Sequence, residues 1–296
     1  MSNHDNKRKY WLSLWGEQLP ESMQDSLAKL CSGNDLIVEH SETVADHMSR
    51  ISYAAMLSQQ QVEQIKQNLS LVAVNYAIRP WQYRSTIPKL MVFDMDSTLI
   101  QMECIDELAR QCGFYPQVSA ITERAMQGEL DFSQSLKQRV ALLDGLAESE
   151  LDSLIHSLPI TPGVQELTAW AKQQGMILVV VSGGFTPFVN HLRESLGFDH
   201  AYANHLESNG GVLTGKVVGE IVDGDKKRAV VEELMSRYSL AQQDVWAIGD
   251  GANDLPMMSS AGFGVAFNAK PKVRLAADAA INQIDMMQLT QCIGAD

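Results

Sequence analysis

From Leu90 onward the chain alternates between continuous apolar runs and helically spaced segments. The runs are "KLMVFDMD", "MILVVVSGG", "DVWAIGDG" and "GFGVAFN", and each ends on polar or glycine residues. Uninterrupted apolar strands are the mark of strands covered on both faces, as in a parallel sheet. Between them "PGVQELTAWAKQQG", "TPFVNHLRESLG" and "DKKRAVVEELMSRYSL" carry helical periodicity. This alternation predicts an α/β fold with a doubly wound parallel sheet, whose ligand sits beyond the carboxyl ends of the strands. Asp94, Asp96, Ser182 and Asp250 all fall at such ends. Over about residues 101–160 the strand runs stop, and "MECIDELARQCG", "VSAITERAMQGE", "DFSQSLKQRVALLDG" and "ESELDSLIHSL" predict helices. They read as a helical cap inserted directly after the first strand.

Residues 1–85 have a different texture. "YWLSLWG" and "DLIVEH" read as short strands, "PESMQDSLAKLCSG" as a helix stopped by Gly33, and "VEQIKQNLSLVAVNYAIRP" as helix then strand ended by Pro80. A small N-terminal α+β domain is expected there, with no chemical motif and with a regulatory role open to it. "RPWQYRSTIPK" would link it to residues 86–296.

Composition narrows the partners. The 296 residues carry 23 basic and 36 acidic side chains, a net charge of -13, which argues against nucleic acid or an anionic membrane as partner. An anionic substrate would need positive charge supplied locally. The four scattered cysteines form no CxxC pair and read as free thiols of a reducing compartment. The basic start lacks a following apolar segment, and "MILVVV" is too short to span a bilayer, so a cytoplasmic protein is expected. A homodimer is an assembly open to it.

The candidate chemistry begins with Asp94 and Asp96. Aspartate is common where a strand gives way to a helix, so capping explains the pair taken alone. "AIGDGAND" adds Asp250, Asn253 and Asp254 at the end of another strand. Carboxylates gathered at one sheet edge repel, by about 4 kcal/mol for two charges ~4 Å apart at an effective dielectric near 20. A hard divalent cation resolves the conflict, and Mg²⁺, which bridges carboxylates and substrate phosphate, fits an all-oxygen set. Ser182 with the amides of Gly183 and Gly184 would make a phosphate cradle, although an ordinary Gly-rich turn accounts for the same stretch. Lys226 or Lys227, opening a helix, would neutralise phosphate.

Two decoys are set aside. "GGVLTGKV" approaches a nucleotide-binding P-loop but has Val217 where a hydroxyl is needed, and "VVGEIV" after it reads as strand. No G-x-S-x-G surrounds Ser182. His191, His200 and His205 show no metal spacing and are expected at the surface or in loops.

In order, D-x-D-x-T, Ser-Gly, a helix-opening Lys and G-D-x-x-x-D resemble the haloacid dehalogenase superfamily over Lys89 to the C-terminus, roughly two thirds of the chain. The resemblance implies phosphoryl transfer through an aspartyl-phosphate. Asp94 would attack phosphorus, while Asp96 protonates the leaving alkoxide and then activates water. Mg²⁺ would be held by Asp94, the Asp96 carbonyl and Asp250. P-type ATPases share the motif with Thr at the second position, so an acid there implies a phosphatase or mutase. More narrowly, "DMDSTLIQMECIDELA", Arg139 in "LKQRV", "VVSGGF" and "GDGANDLPMM" resemble the phosphoserine phosphatase family. Glu103 lies 9 residues after Asp94 and Lys227 lies 23 before Asp250, which selects Lys227 over Lys226. The resemblance implies that Glu103 takes the ammonium of phosphoserine and Arg139 its carboxylate. Ser182, Gly183, Lys227 and Mg²⁺ would take the phosphate, Asn253 would be a further substrate-binding residue, and Met126 and Phe132 would close over the substrate. Hydrolysis would be the last step of serine biosynthesis. Two alternatives remain at this point: a phosphatase or phosphotransferase acting on another small phosphomonoester, and a non-catalytic phospho-receiver or amino-acid sensor.

Overall fold

A computed structural model describes residues 7–17, 19, 25, 27, 29, 36–45, 48–72 and 74–294. The helix expected over 20–33 lies outside the described residues except at Asp25, Leu27 and Lys29, all helical. The chain divides into two compact units, Met1–Pro88 with Ala241–Asp296, and Lys89–Leu240.

The first unit opens with β1 (Arg8–Gly16), buried from Trp11 onward, then β2 (Leu36–Ala45) and β3 (Met48–Leu57). β3 pairs antiparallel with both. Helix α1 (Gln59–Ser70) starts on a capping box: Ser58 Oγ accepts from Gln61 N at 3.3 Å while Gln61 Oε1 accepts from Ser58 N at 2.9 Å. Its buried Val62, Ile65 and Leu69 recur at helical spacing. β4 (Asn75–Pro80) pairs antiparallel with β1 and stops at Pro80, which lacks the N–H a ladder needs. β3 was not legible in the alternation of apolar positions: "MSRISYAAML" mixes polar and apolar residues without a strict period of two, and is held by partners on both sides.

The second unit begins with β5 (Leu90–Phe93), entirely buried. Four helices follow: α2 (Cys104–Gln111), α3 (Tyr115–Met126), α4 (Phe132–Ala141) and α5 (Glu148–Ile155). After α6 (Val164–Gln173) come β6 (Ile177–Phe185), α7 (Thr186–Leu196), β7 (His200–Asn209), β8 (Val212–Val218) and α8 (Gly224–Arg237). The strand order is β5-β6-β7-β8, with β5, β6 and β7 parallel and β7–β8 an antiparallel hairpin. The hairpin turns at Gly210 and Gly211, whose φ of 62° and 82° suit glycine. The P-loop decoy is therefore a hairpin; its strand runs over Val212–Val218 and ends before Glu220, earlier than "VVGEIV" suggested.

The chain then returns to the first unit as β9 (Val245–Gly249), α9 (Leu255–Ser260), β10 (Phe263–Phe267), α10 (Pro271–Ala276) and β11 (Ala279–Ile281). β9, β10 and β11 are parallel, and β11 pairs antiparallel with β4. Both units thus show parallel strands joined through helices, the α/β pattern. Arg79 on β4 is buried, donates to the carbonyls of Arg84, Thr86 and Cys292, and lies over the Trp246 and Phe263 rings. No helix among the described residues is long and apolar enough to cross a membrane.

Candidate active site

In the second unit, β5 delivers Asp94 into a wide turn. Asp94 is extended (φ -69°, ψ 161°) and its Oδ1 accepts from Met95 N at 2.7 Å. Capping and chemistry are therefore not exclusive: one oxygen orders the turn while the carboxylate stays 5 % exposed. The turn closes with Ile100 N donating to Met95 O at 3.1 Å, and Ser97 takes φ 57° inside it. A left-handed non-glycine residue is a costly conformation, concentrated at functional turns.

Lys227 Nζ lies 2.7 Å from Asp94 Oδ1 and the lysine is fully buried. It sits in the first turn of α8, where the helix dipole disfavours a cation, and Asp94 supplies the opposing charge. Asp223 caps the same helix by accepting from Lys226 N at 2.9 Å. Lys226 itself turns outward to Glu220, 2.6 Å away. The two adjacent lysines thus have different partners.

Asp96 follows at ψ 134°. Burial, then the charges of Glu103 and Asp94, push its carboxyl up to about 8, against hydrogen bonds from Cys104. Glu103 Oε1 accepts from the Ser97 hydroxyl at 2.8 Å. Although Glu103 faces outward, displacement of water by neighbouring protein atoms raises its carboxyl, helped by Asp94 and Asp106 and opposed by Ser97 and Arg139. Arg139, on the last turn of α4, is half-buried and donates to Ser135 O at 3.4 Å. Burial lowers its guanidinium pKa, while attraction to Asp106, Glu103 and Asp96 works the other way. An acid and a guanidinium that sense each other here can receive the two ends of a zwitterion.

The glycine stretch at the end of β6 is a built turn. Fully buried Ser182 accepts from Gly184 N through Oγ at 2.9 Å, and the β6–β7 ladder breaks register between Val181 and Phe185. A Cβ at Gly183 would meet Phe132 Cζ at 2.8 Å, which places this ring of α4 directly on the turn. Met126, in contrast, is 77 % exposed. Asn204, fully buried on β7, donates to Gly183 O at 2.8 Å and accepts from Val222 N at 2.9 Å. It joins the glycine turn to the residues leading into α8, and no sequence signal singles out an asparagine within a strand. Of the histidines, His205 is exposed and His191 and His200 are partly exposed.

In the first unit, β9 ends on Gly249 and opens a turn that carries Asp250, Asn253 and Asp254. Asp254 is fully buried and accepts from Gly251 N at 3.0 Å. The Asp250 carbonyl accepts from Lys270 N at 3.3 Å. Asn253 is partly exposed, and a Cβ at Gly251 would collide with its Oδ1. Asp94 in the second unit and Asp250 and Asp254 in the first are acids that each offer a carboxylate oxygen to a metal ion. Their donors are all carboxylate oxygens, which suits a hard divalent cation.

A family model of haloacid dehalogenase-like hydrolases matches residues 91–259. The chain is similar to a probable phosphoserine phosphatase of Schizosaccharomyces pombe, 48% identical over 214 residues, 72% of each protein. In structure it resembles a haloacid dehalogenase family hydrolase from Salmonella enterica serovar Typhi, with TM-score 0.84 and 28% identity over 97% of this chain and 99% of that one. It also resembles an unliganded probable phosphoserine phosphatase from Vibrio cholerae, with TM-score 0.73 and 36% identity over 96% and 86% of the two chains.

Proposed function

This chain belongs to the haloacid dehalogenase-like hydrolase family, and from that premise we propose that it hydrolyses O-phosphoserine to serine and phosphate with Mg²⁺. The observation that carries the reading is a carboxyl group, Asp94, paired with the buried Lys227 and followed two positions later by a buried acid, Asp96, whose carboxyl pKa is raised by that burial. Such a pair divides the labour of ester cleavage between a nucleophile and a proton donor.

In this reading an Asp94 oxygen attacks phosphorus as the bond to the serine oxygen breaks. Asp96 gives its proton to that oxygen, so serine leaves neutral at the hydroxyl. Asp96, now a carboxylate, takes a proton from water, and the resulting hydroxide attacks the aspartyl-phosphate. Phosphate departs, Asp94 is restored, and Asp96 is again protonated. Lys227 stabilises charge on the transferring group from its position on Asp94. Ser182, Gly183 and Asn253 hold the phosphate, Glu103 the ammonium and Arg139 the carboxylate. Mg²⁺, held by Asp94, the Asp96 carbonyl and Asp250, would supply charge neutralisation between nucleophile and phosphate. Residues 86–296 would form the catalytic domain, with the helices between about 101 and 160 as its cap and residues 1–85 apart from the chemistry. The enzyme would serve the last step of serine biosynthesis in the cytoplasm.

The test is phosphate release across small phosphomonoesters, with Mg²⁺ and with chelator. Phosphoserine should be the best substrate and chelator should remove turnover. Arg139→Ala should lower kcat/KM on phosphoserine by roughly 30- to 100-fold, the worth of a charge-assisted bidentate pair. On phosphoethanolamine, which lacks the carboxylate, the loss should be small. Equal losses on both esters, or turnover indifferent to chelator, would overturn the assignment.

A further inference from the structure

Within the second unit, the groups read above as phosphate ligands come from two separate elements, the turn at the end of β6 and the first turn of α8. Pairing between β6 and β7 runs regularly to Val181, opposite Tyr202, and resumes at Phe185, opposite Asn204. Ser182, Gly183 and Gly184 are thereby set against Ala203 alone and leave the ladder. Their peptide groups need other partners. The peptide joining Gly183 to Gly184 has one at each end: its carbonyl accepts from Asn204 Nδ2 at 2.8 Å, and its N–H donates to Ser182 Oγ at 2.9 Å. With its oxygen accepting there, the Ser182 hydroxyl keeps its own proton for another acceptor.

Asn204 also reaches the second element. Its Oδ1 accepts from Val222 N at 2.9 Å, one residue before Asp223, the N-cap of α8. Lys227 N in turn donates to Asp223 O at 2.9 Å, so the helix that carries Lys227 starts where Asn204 holds the chain. The two held segments lie together, since a Cβ on Gly183 would stand 3.6 Å from Val222 O. The two bonds demand one donor and one acceptor on a single short tip. Aspartate would supply only the acceptor, and leucine neither. Asn204 is fully buried, so water does not stand in for a lost partner.

We propose that Asn204 is a positioning residue for phosphoryl transfer: its amide fixes the spacing between the Ser182–Gly183 turn and the helix bearing Lys227. The inference rests on reading Ser182, Gly183 and Lys227 as phosphate ligands. A residue that only fastens the fold would change stability and leave the phosphate end of the site alone. A positioning residue acts on the group that all phosphate esters share. It weakens them alike and leaves the discrimination made by Glu103 and Arg139 intact.

The experiment compares Asn204→Asp, which keeps the acceptor for Val222 N, with Asn204→Leu, which keeps neither bond, in the full-length enzyme with Mg²⁺. Asn204→Asp should lower kcat/KM on the order of tenfold, and by the same factor on phosphoserine and on phosphoethanolamine. The inhibition constant of inorganic phosphate should rise by a similar factor. Asn204→Leu should lose more on each count. Urea midpoints of the same samples establish that each protein is folded under the assay conditions, and should one variant fail to fold, the other decides. A folded variant with natural turnover and natural inhibition by phosphate would overturn the proposal. So would a loss confined to phosphoserine, which would put the effect at the amino-acid end of the site. Should the natural enzyme prefer another ester, the comparison runs on that ester, and a failed substrate assignment leaves the Asn204 result readable. A natural enzyme indifferent to inorganic phosphate would sink the phosphate-site reading itself, and this inference with it.

Discussion

The turn after β5 and the turn after β9 both follow fully buried strands and both carry two aspartates, yet they are secured differently. Asp94 is held by charge and by a single amide: Lys227 at 2.7 Å and Met95 N at 2.7 Å. No glycine is needed there, and the backbone tolerates Ser97 at φ 57°. The turn at Asp250–Asp254 is secured by shape. A Cβ on Gly249 would lie 2.3 Å from Asp254 Oδ2, and one on Gly251 would lie 2.2 Å from Asn253 Oδ1. One turn is specified by what its side chains do, the other by what its backbone leaves out. Substitutions should therefore fail in different ways at the two places.

The largest effect is expected at Asp94. Asp94→Asn keeps an oxygen for the Met95 amide and for Lys227, so the chain should fold with native far-UV circular dichroism. It loses the nucleophile, and turnover should drop by at least about ten-thousand-fold, as when a covalent catalyst is removed. Appreciable phosphate release by a folded Asp94→Asn protein would show that this turn is not built for chemistry.

The second turn should break through stability. Gly249→Ala forces a methyl into the space of the buried Asp254 carboxylate, and overpacking of this kind costs about 1–3 kcal/mol. Gly16→Ala on β1 is the matched control, with nothing within 4 Å of the new carbon, and should stay within about 0.5 kcal/mol. Urea midpoints for the two variants check this, and equal shifts would erase the contrast between the turns.

These differences bear on what could be read beforehand. Apolar runs ending on polar or glycine residues announced β5, β6, β9 and β10, because strands buried on both faces cannot hide their composition. Helical spacing announced α2 through α5. The irregularly patterned β3 and the three-residue β11 gave no such signal. That β4 pairs with β11 was also hidden, since pairing between residues some 200 positions apart leaves no local trace. In the site, motif order brought out Asp94, Asp96, Ser182 and Lys227. Asn204, whose amide ties two loops together, and the contact of Cys104 with Asp96 depend on orientation, which spacing does not encode.

The last effect is one of pH and concerns Asp96, whose carboxyl is raised from an ordinary 3.8 to about 8 by burial first and by Glu103 and Asp94 next. A raised carboxyl means that the folded chain binds the proton more tightly than the unfolded one. The stability it contributes is fully present below the unfolded pKa and is lost as pH rises from about 4 to about 8. Asp96→Asn cannot titrate, so in chelator the natural protein should lose ground against the variant steadily across that window. Urea unfolding of both proteins at pH 5, 6.5 and 8 measures the gap. A pH-independent gap would mean that Asp96 ionises as easily folded as unfolded, and it could not then serve as the acid that protonates a leaving alkoxide. A gap that closes with rising pH would set Asp96 apart from Asp94: two carboxyls two residues apart, one lying 2.7 Å from Lys227 Nζ and the other buried and binding its proton more tightly than in the unfolded chain.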